Sequence, residues 1–391
     1  MKMLPIKSWC RDLDENAKTQ AVHLAMHPVT FGHVALMPDC HMGYGMPIGG
    51  VIACEDAIIP NAVGVDIGCG MIALRTDIHM QNPFSYRTRL RRVIDDIKRQ
   101  VPLGFGRHGS PQEWDGFAAI PPVPIIEKNM RVARESLGTL GGGNHFIEVQ
   151  LDERDRVWLM VHSGSRNLGK QICDHFNQLA MERCTFEFAK YGGTLDDLCY
   201  LDAGSKLGMD YIDSMNFALA FAEENRNRIM RAAMRSILDE FGGVSFDEGF
   251  NIHHNFAALE THFGRRLWIH RKGATQAFDG QVGIIPGSMG TPSYIVEGRG
   301  NEQSFMSCSH GAGRRMGRNE ATRRLTVEEC EAAMGDVVHD HWSKIRKGRL
   351  KGQYDLGEAP GAYKNINTVI ESQLDLIKPI VKLRPIAVVK G

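Results

Sequence analysis

The sequence predicts an α+β fold: a single large domain with a central β-sheet or sandwich core flanked by helices. Apolar, β-branched runs of strand length are mixed with longer amphipathic segments, without the regular alternation of a parallel α/β sheet. Segments that pair glycine with histidine or cysteine extend from residue 39 to residue 313, with no low-complexity tract or obvious linker between them. Because one site would need most of the chain, we expect residues 1–391 to form one domain.

Apolar and β-branched runs bounded by turn residues predict the strands. They cover residues 49–54, 57–60, 146–151, 157–162, 265–271, 281–285, 293–296 and 383–390. The third and fourth runs flank the polar turn 152–155, which predicts a β-hairpin. That hairpin would place His145 just before one strand and His162 at the end of the next, so that both could bind one metal ion.

Apolar residues recur at helical spacing in four segments. These predicted helices cover residues 87–99, 172–190, 211–241 and 327–341. The third is the longest, and its apolar residues include Phe217, Phe221 and Ile229. A stripe of this kind indicates a helix that packs in the core rather than a cofactor site.

Composition indicates a soluble globular protein rather than a membrane or disulfide-rich protein. The chain has 43% hydrophobic and 24% charged residues, and no apolar run of membrane-spanning length or signal-peptide type, so we expect a cytoplasmic protein. Its nine cysteines are odd in number and form no Cys-x-x-Cys pair, which argues against a disulfide framework or zinc knuckle. Most should be buried, whereas Cys69 and Cys308 lie in glycine-rich segments.

The net charge and the local charge clusters give opposite indications about nucleic-acid binding. The formal net charge is zero, which does not favour nucleic-acid binding by the chain as a whole. Basic residues nevertheless cluster at 87–99, at 314–324 directly after His310, and at 344–351. Such a cluster is usually the solvated face of a helix. This explanation is weakest for the second cluster, because that cluster directly follows a candidate active-site loop.

A set of candidate metal ligands is scattered along the chain. Asp66 and Cys69 are three residues apart in a glycine turn, where a carboxylate and a thiolate can face one point. A single Asp-x-x-Cys is a weak motif, but three histidines could complete the set: His145, His162 and His254. Each histidine could instead be a hydrogen-bonded turn residue. Asparagine and serine side chains next to these histidines could hydrogen-bond to the imidazole rings and fix their orientation. This favours the interpretation as metal ligands.

His310 is the sharpest candidate for catalysis. It lies between Ser309 and Gly311, followed by Arg314 and Arg315. A neutral imidazole in such a loop can attack phosphorus, and the arginines can hold phosphates. The alternative is an anion-binding turn with a hydrogen-bonding histidine. The glycine-rich loops 138–143 and 286–290 are equally compatible with tight turns and with phosphate cradles.

Eight segments, in order, resemble the RtcB family of RNA ligases. They are residues 37–41, 64–70, 143–146, 162–166, 254–255, 286–289, 309–314 and 389–391. The resemblance implies a ligase that depends on GTP and on two Mn²⁺ ions per active site. Such a ligase joins an RNA 3′-phosphate or 2′,3′-cyclic phosphate to an RNA 5′-hydroxyl. It passes through a guanylyl-histidine and an RNA(3′)pp(5′)G intermediate, in RNA repair or tRNA splicing.

The resemblance also implies roles for individual residues. His310 would be the catalytic nucleophile, Arg166 would contact an RNA phosphate, and Cys69 would bridge the two metal ions. The metal ligands would be Asp66, Cys69, His145, His162 and His254. The nucleotide would be bound by Asn144, His145, Phe146, Ile147, Glu148, His254, Asn255, Pro286, Gly287, Ser288, Met289, Ser293, His310, Gly311, Ala312, Gly313, Tyr363 and Lys390, the Tyr363 and Lys390 side chains contacting guanine.

The expected partner is RNA with these ends, such as tRNA or rRNA fragments, bound by a monomer without any membrane association. Two other functions remain open at this point. A metal-dependent phosphoesterase that only opens cyclic phosphates would need the metal ligands but not His310. A non-catalytic RNA-binding protein would need the basic clusters but not an intact set of metal ligands.

Overall fold

The computed structural model describes residues 3–188 and 196–391, and it confirms the α+β class. The strands are β1 Ile6–Ser8, β2 Thr30–His41, β3 Ile48–Cys54, β4 Ala57–Ile58, β5 Gly70–His79, β6 Phe146–Leu151, β7 Arg156–Ser163, β8 Leu201–Asp202, β9 Phe250–His253, β10 Asn255–His262, β11 Arg265–Lys272, β12 Ala274–Gln276, β13 Val282–Ile285, β14 Ser293–Gly298, β15 Ser307–Ser309 and β16 Ile377–Lys390. The helices are α1 Glu15–Ala25, α2 Pro60–Val63, α3 Arg87–Gln100, α4 Pro124–Ser136, α5 Leu168–Phe188, α6 Lys206–Phe241, α7 Arg318–Arg324, α8 Val327–Met334 and α9 Ile366–Glu371.

The larger sheet is antiparallel and nearly closed. Its strand order is β13-β14-β16-β6-β7-β5-β9, and β13 also contacts β5 and β9 across the gap. The predicted hairpin is present as β6 and β7, with Phe146 directly opposite His162. The hairpin therefore brings His145 and His162 to the same end of the sheet, as the sequence predicted.

Side chains of the larger sheet alternate between two apolar layers. The outer layer contains Ile147, Val149 and Leu159 and packs against α3 and α6. The inner layer contains Phe146 and Met160 and fills the curled interior. Because the alternation is regular along β6, the polar side chains of residues 148 and 150 also point into this interior.

The smaller sheet has the order β1-β2-β3-β11-β10, with β1 and β2 parallel and its other pairs antiparallel. One face, with Leu36 and Ile52, packs on α1, α5 and α6. The opposite face, with Val51 and Ile269, packs on α9 and on residues of β13 and β14 such as Ile285. The two sheets therefore share a boundary, and the loops at that boundary carry the candidate site residues.

Some predicted boundaries were wrong. The helix predicted for 327–341 ends at Met334, because Gly335 takes a positive φ of 55°. The strand predicted for 383–390 begins earlier, at Ile377. The helix predicted for 172–190 is present from Leu168, and its last two predicted residues lie outside the described residues.

In residues 3–188 and 196–391, none of the helices combines the length and the apolar character that a membrane crossing requires.

The packing of the outer layer predicts a stability effect for Leu159→Ala. Leu159 is completely buried between the larger sheet and the helices. Removing its side chain should lower the free energy of unfolding by about 2–5 kcal/mol, measured by urea denaturation. The same change at Leu374, which is 48% exposed, should cost less than about 0.5 kcal/mol. Equal losses in the two variants would contradict this packing.

Candidate active site

Strand pairing brings the predicted metal ligands together from four segments. Asp66 and Cys69 lie in the turn before β5, and β5 pairs with both β7 and β9. Gly70, the first residue of β5, lies opposite Ser163 on one side and His253 on the other. Their chain neighbours, including Cys69 and the predicted ligands at 162 and 254, therefore meet at one end of the sheet.

The donor atoms form two groups of three that share Cys69. The first group is Cys69, His162 and His254, and the second is Asp66, Cys69 and His145, with the donor atoms of each group within 4.8 Å of one another. The Cys69 Sγ lies 3.2 Å from His162 Nε2 and 3.5 Å from His145 Nε2. His162 Nε2 lies 3.3 Å from His254 Nε2, and His145 Nε2 lies 3.2 Å from Asp66 Oδ2.

The protonation of these groups suits a divalent cation. Burial lowers the pKa of His162 and of His254 well below the usual value, so both imidazoles are neutral at pH 7. The Nδ1 atoms of His145 and His162 lie 2.9 Å and 3.1 Å from the carbonyl oxygens of Leu140 and Asn144. A carbonyl can only accept, so each Nδ1 carries a proton and Nε2 is the ring atom that can bind metal, at His145 once Nε2 no longer donates to Asp66.

The pKa values of the other two groups, Asp66 and Cys69, are shifted in opposite directions. Burial raises the pKa of Asp66, but a stronger combined effect of the His145 hydrogen bond and charge lowers it overall. Burial, reinforced by Asp66, raises the pKa of the Cys69 thiol well above its usual value. A metal that binds Cys69 must therefore displace a proton. The thiol and imidazole donors favour a borderline divalent ion such as Zn²⁺, and the carboxylate also accommodates a harder ion such as Mn²⁺.

His310 lies beside this cluster and is oriented by a carboxylate. Its Nδ1 lies 2.6 Å from Asp39 Oδ2, and its backbone N–H donates to the same oxygen at 3.2 Å. The rings of His254 and His310 have centroids 4.8 Å apart. In this hydrogen bond Nδ1 donates and the carboxylate oxygen accepts, which leaves Nε2 as the ring nitrogen available to act as a nucleophile.

A cavity of about 390 Å³ joins the metal-ligand cluster to His310. That volume lies within the usual range for small-molecule sites. Of the predicted residues, those that line it are Asp66, Cys69, Asn144, Phe146, His162, His254, Asn255, Pro286, Gly287, Ser288, Met289, His310, Gly311, Ala312, Gly313, Tyr363 and Lys390. The predicted residues outside the lining are His145, Ile147, Glu148, Arg166 and Ser293.

These five outlying residues occupy different places. His145 belongs to the ligand cluster, whereas the Ile147 side chain lies in the helix-covered layer on the opposite face of β6. Arg166 donates to Thr139 Oγ1 and to the carbonyl of Gly104 behind the cluster. The remaining two, at positions 148 and 293, belong to a polar network inside the curled sheet.

That network ends at the cavity. The Gln150 amide donates to Glu148 Oε2 at 2.6 Å and to Ser293 Oγ at 3.1 Å, and Ser293 Oγ accepts the Gly287 N–H. Burial raises the pKa of Glu148 to about 8, although the Gln150 hydrogen bond and the Lys390 charge oppose this. The Glu148 carboxyl is therefore mostly protonated at pH 7.

Sequence reasoning missed several functional side chains. Glu358 lies on the cavity wall, where it accepts from Arg314, Arg318 and Tyr363 and lies 3.9 Å from the Lys390 ammonium. Nothing in the local pattern around it signals this role, because its partners come from three other segments. Two of the arginines after His310 are thus part of the site, whereas the 87–99 cluster is paired on the surface with Glu240 and other acids.

Arg226 was missed although the sequence carried a signal. This guanidinium is fully buried and donates to the carbonyls of Gly68 and Ser163, the neighbours of two metal ligands. On the apolar face of α6 it follows Ala222 and precedes Ile229 at helical spacing. An arginine at such a core position needs polar partners, which here are backbone carbonyls beside the candidate metal ligands.

The fold and site define a protein with a buried cluster of candidate metal ligands and an oriented histidine in a cavity of about 390 Å³. A family model described as tRNA-splicing ligase RtcB matches residues 20–120 and 114–391. The chain belongs to the RtcB family.

Full-length relatives agree with this assignment. The RNA-splicing ligase RtcB of Escherichia coli K12 is 39% identical over 416 aligned positions, which cover 99% of this chain and 97% of the relative. The tRNA-splicing ligase RtcB of Pyrobaculum aerophilum is 32% identical, covering 95% of this chain and 90% of the relative. The RNA-splicing ligase RtcB of Mycobacterium tuberculosis is 30% identical, covering 95% and 100%.

The shared position of Cys69 predicts the effect of Cys69→Ser on metal binding. Loss of the thiolate should weaken Co²⁺ binding by more than about tenfold and remove the Co²⁺–thiolate absorption band, both followed by optical titration. Cys308→Ser is the matched control, because Cys308 is equally buried but hydrogen-bonds to Thr275 outside the cluster. Unchanged Co²⁺ spectra in Cys69→Ser would refute the ligand assignment.

Proposed function

We propose that this chain is a GTP- and Mn²⁺-dependent RNA ligase that joins RNA 3′-phosphate or 2′,3′-cyclic phosphate ends to 5′-hydroxyl ends. The observation that carries the proposal is the position of His310. Its free Nε2 faces a nucleotide-sized cavity beside two groups of metal ligands that share one cysteine. Membership of the RtcB family, whose named relatives are RNA-splicing ligases, supports the same reaction.

In the first step, His310 acts as the nucleophile. Its Nε2 lone pair attacks the α-phosphorus of GTP, the bond to the pyrophosphate oxygen breaks, and pyrophosphate leaves. The Nδ1 proton remains in the hydrogen bond to Asp39, whose carboxylate offsets the positive charge that develops on the ring. Asp39 thus acts as a positioning residue that selects the tautomer and fixes the ring.

Two Mn²⁺ ions would be held by Asp66, Cys69, His145, His162 and His254, with Cys69 in both groups. When bound, the ions neutralise charge on the phosphate oxygens of the attacking and leaving groups. The fit rests on neutral imidazole nitrogens that converge with a thiol and a carboxylate. Arg226 holds the carbonyls beside two of these ligands and so keeps the donors converged.

The guanine base would lie towards the interior of the larger sheet. Guanine presents N–H donors at N1 and at its 2-amino group, and an ionised Glu148 can accept both. Gln150 donates to this carboxyl, and the Gln150 amide is itself positioned by its hydrogen bond to Ser293. Tyr363 and Lys390, which line the cavity and contact Glu358, would complete the base site.

In the second step, the guanylyl group passes from His310 to the RNA 3′-phosphate. An oxygen of the RNA 3′-phosphate attacks the phosphorus on His310, the P–N bond breaks, and RNA(3′)pp(5′)G forms. The 5′-hydroxyl of the second strand attacks the RNA phosphate, GMP leaves, and the strand is sealed. A cyclic phosphate is first hydrolysed in the same site: water attacks the phosphorus, the P–O2′ bond breaks, and a 3′-phosphate and a 2′-hydroxyl remain. Arg166 would contact an RNA phosphate, and the substrates would be broken tRNA or rRNA.

Guanylylation of His310 is the direct test. Wild-type protein incubated with Mn²⁺ and GTP labelled at the α-phosphate should acquire an acid-labile, alkali-stable label, and His310→Ala should acquire none. His79→Ala is the control, since His79 is exposed at the opposite end of β5 and should leave labelling unchanged. Metal-loaded wild type that stays unlabelled but opens cyclic phosphates would contradict the ligase and indicate a phosphoesterase.

The raised pKa of Glu148, to about 8, predicts a pH dependence of base binding. The carboxyl is protonated in the free protein below that pH and must lose its proton to accept from guanine. Guanosine affinity should therefore rise from pH 6 to pH 8, by at most about tenfold per pH unit, and then level off.

Guanosine is the suitable probe because it lacks phosphates and does not depend on the metal ions. Calorimetric titrations should show proton release on binding to wild type, and none with Glu148→Gln, whose weaker affinity should not vary with pH. An affinity for guanosine that falls between pH 6 and pH 8 would rule out an ionised Glu148 as the acceptor.

A further inference from the structure

Phe105 is an aromatic residue that packs on nothing. Its exposed fraction is 104%, against 67% for Phe84, the next most exposed large apolar side chain in the described part of the chain. It lies between Gly104 and Gly106 in the segment that joins α3 to α4. An isolated, fully exposed ring gains nothing from burial in this protein, so a role in folding does not explain it.

The backbone that presents the ring is held at several points. The Gly104 N–H donates to the Gly141 carbonyl at 2.9 Å, and the Gly106 N–H donates to the Leu103 carbonyl at 2.8 Å. Further along, the His108 N–H donates to the Glu135 carbonyl at 2.9 Å. The exposure of Phe105 therefore comes from a tight, hydrogen-bonded turn.

One end of this turn contacts the active site. The Gly104 carbonyl accepts from Arg166 Nη2 at 3.1 Å. Its partner Gly141 lies between Arg166 and His145: a Cβ at Gly141 would lie 2.2 Å from Arg166 Nη1 and 2.5 Å from His145 Nδ1. The Phe105 ring is thus one residue away from a backbone that touches both the proposed RNA-binding arginine and a metal-ligand segment.

The other end of the turn borders a basic groove. A groove of about 380 Å³ is lined by His108 on this side and by Arg228, Arg231 and Arg235 of α6 on the other. Glu224, the carboxylate in the lining, pairs with the first two arginines, and Arg235 donates to an uncharged glutamine, Gln100. The groove therefore has an excess of positive charge.

We propose that Phe105 is a stacking platform for a base of single-stranded RNA whose phosphates follow the α6 groove towards the active site. This proposal rests on the proposed function and identifies a docking surface for its substrate. A ring that is open on both faces suits stacking on any base, and arginines along a groove suit the phosphate backbone. The turn joins both features to Arg166.

The test compares RNA affinities of wild type, Phe105→Ala and Phe105→Trp by fluorescence anisotropy. The probes are two labelled single-stranded oligoribonucleotides, one that ends in a 3′-phosphate and one that begins with a 5′-hydroxyl. Phe105→Ala should bind at least one of them about tenfold more weakly, and Phe105→Trp should restore binding. Phe84→Ala is the control and should bind as wild type, because Phe84 lies by Arg384, at the other end of the larger sheet.

A second measurement addresses the groove. Replacing Arg231 and Arg235 with glutamine should reduce the slope of log affinity against log salt by about 0.7 for each RNA phosphate that an arginine no longer neutralises. Phe105→Ala, which removes no charge, should leave that slope unchanged. An unchanged slope in the arginine variant would overturn the path along α6.

Labelling of His310 with GTP needs no RNA and separates this proposal from the ligase function. Phe105→Ala should be guanylylated like wild type, so a defect confined to RNA affinity supports the platform. Wild-type affinity of Phe105→Ala for both oligoribonucleotides would overturn it. Weak binding that Phe105→Trp does not restore would also overturn stacking.

Discussion

The crowding of metal donors at one end of the larger sheet is the constraint on which the site depends. Because Gly70 pairs with both neighbouring strands, Cys69, His162 and His254 lie close together at this end of the sheet. His162 Nε2 and His254 Nε2 lie 3.3 Å apart, so either a proton carried by one of the rings or a bound cation must lie between the two nitrogens. Strand pairing thus brings the donor atoms to a spacing at which a metal ion can bind several of them at once.

The cavity lies at the boundary of two sheets, and each sheet supplies a different part of the site. The smaller sheet supplies Asp39, which orients His310 and leaves one ring nitrogen free for attack. The larger sheet supplies Glu148, whose location inside the curl keeps water away and favours the neutral carboxyl. Nucleophile and proposed base site therefore have separate electrostatic environments within one cavity, because they belong to different layers of the fold.

Local patterns predicted part of this structure. The hairpin of β6 and β7 follows from two apolar runs around a polar turn, and the ligand set follows from histidines and a cysteine beside glycine. In contrast, β2 went unrecognised because residues 33–40 are all buried and show no alternation. Asp39 and Glu358 act through partners hundreds or tens of residues away, and no local spacing reports such contacts. The roles of Tyr363 and Lys390 came from family resemblance, since a single tyrosine or lysine has no motif of its own.

The central proposal is that the two groups of donor atoms would hold two metal ions, with the Cys69 thiolate as their shared ligand. It is tested most directly by titrating the protein with Mn²⁺ and recording electron paramagnetic resonance spectra at one and two equivalents. A shared thiolate predicts that two ions bind per chain and that the second equivalent produces a spin-coupled spectrum in place of the signal of an isolated ion. Binding of a single ion, or two equivalents that give simply additive signals of isolated ions, would contradict the bridge.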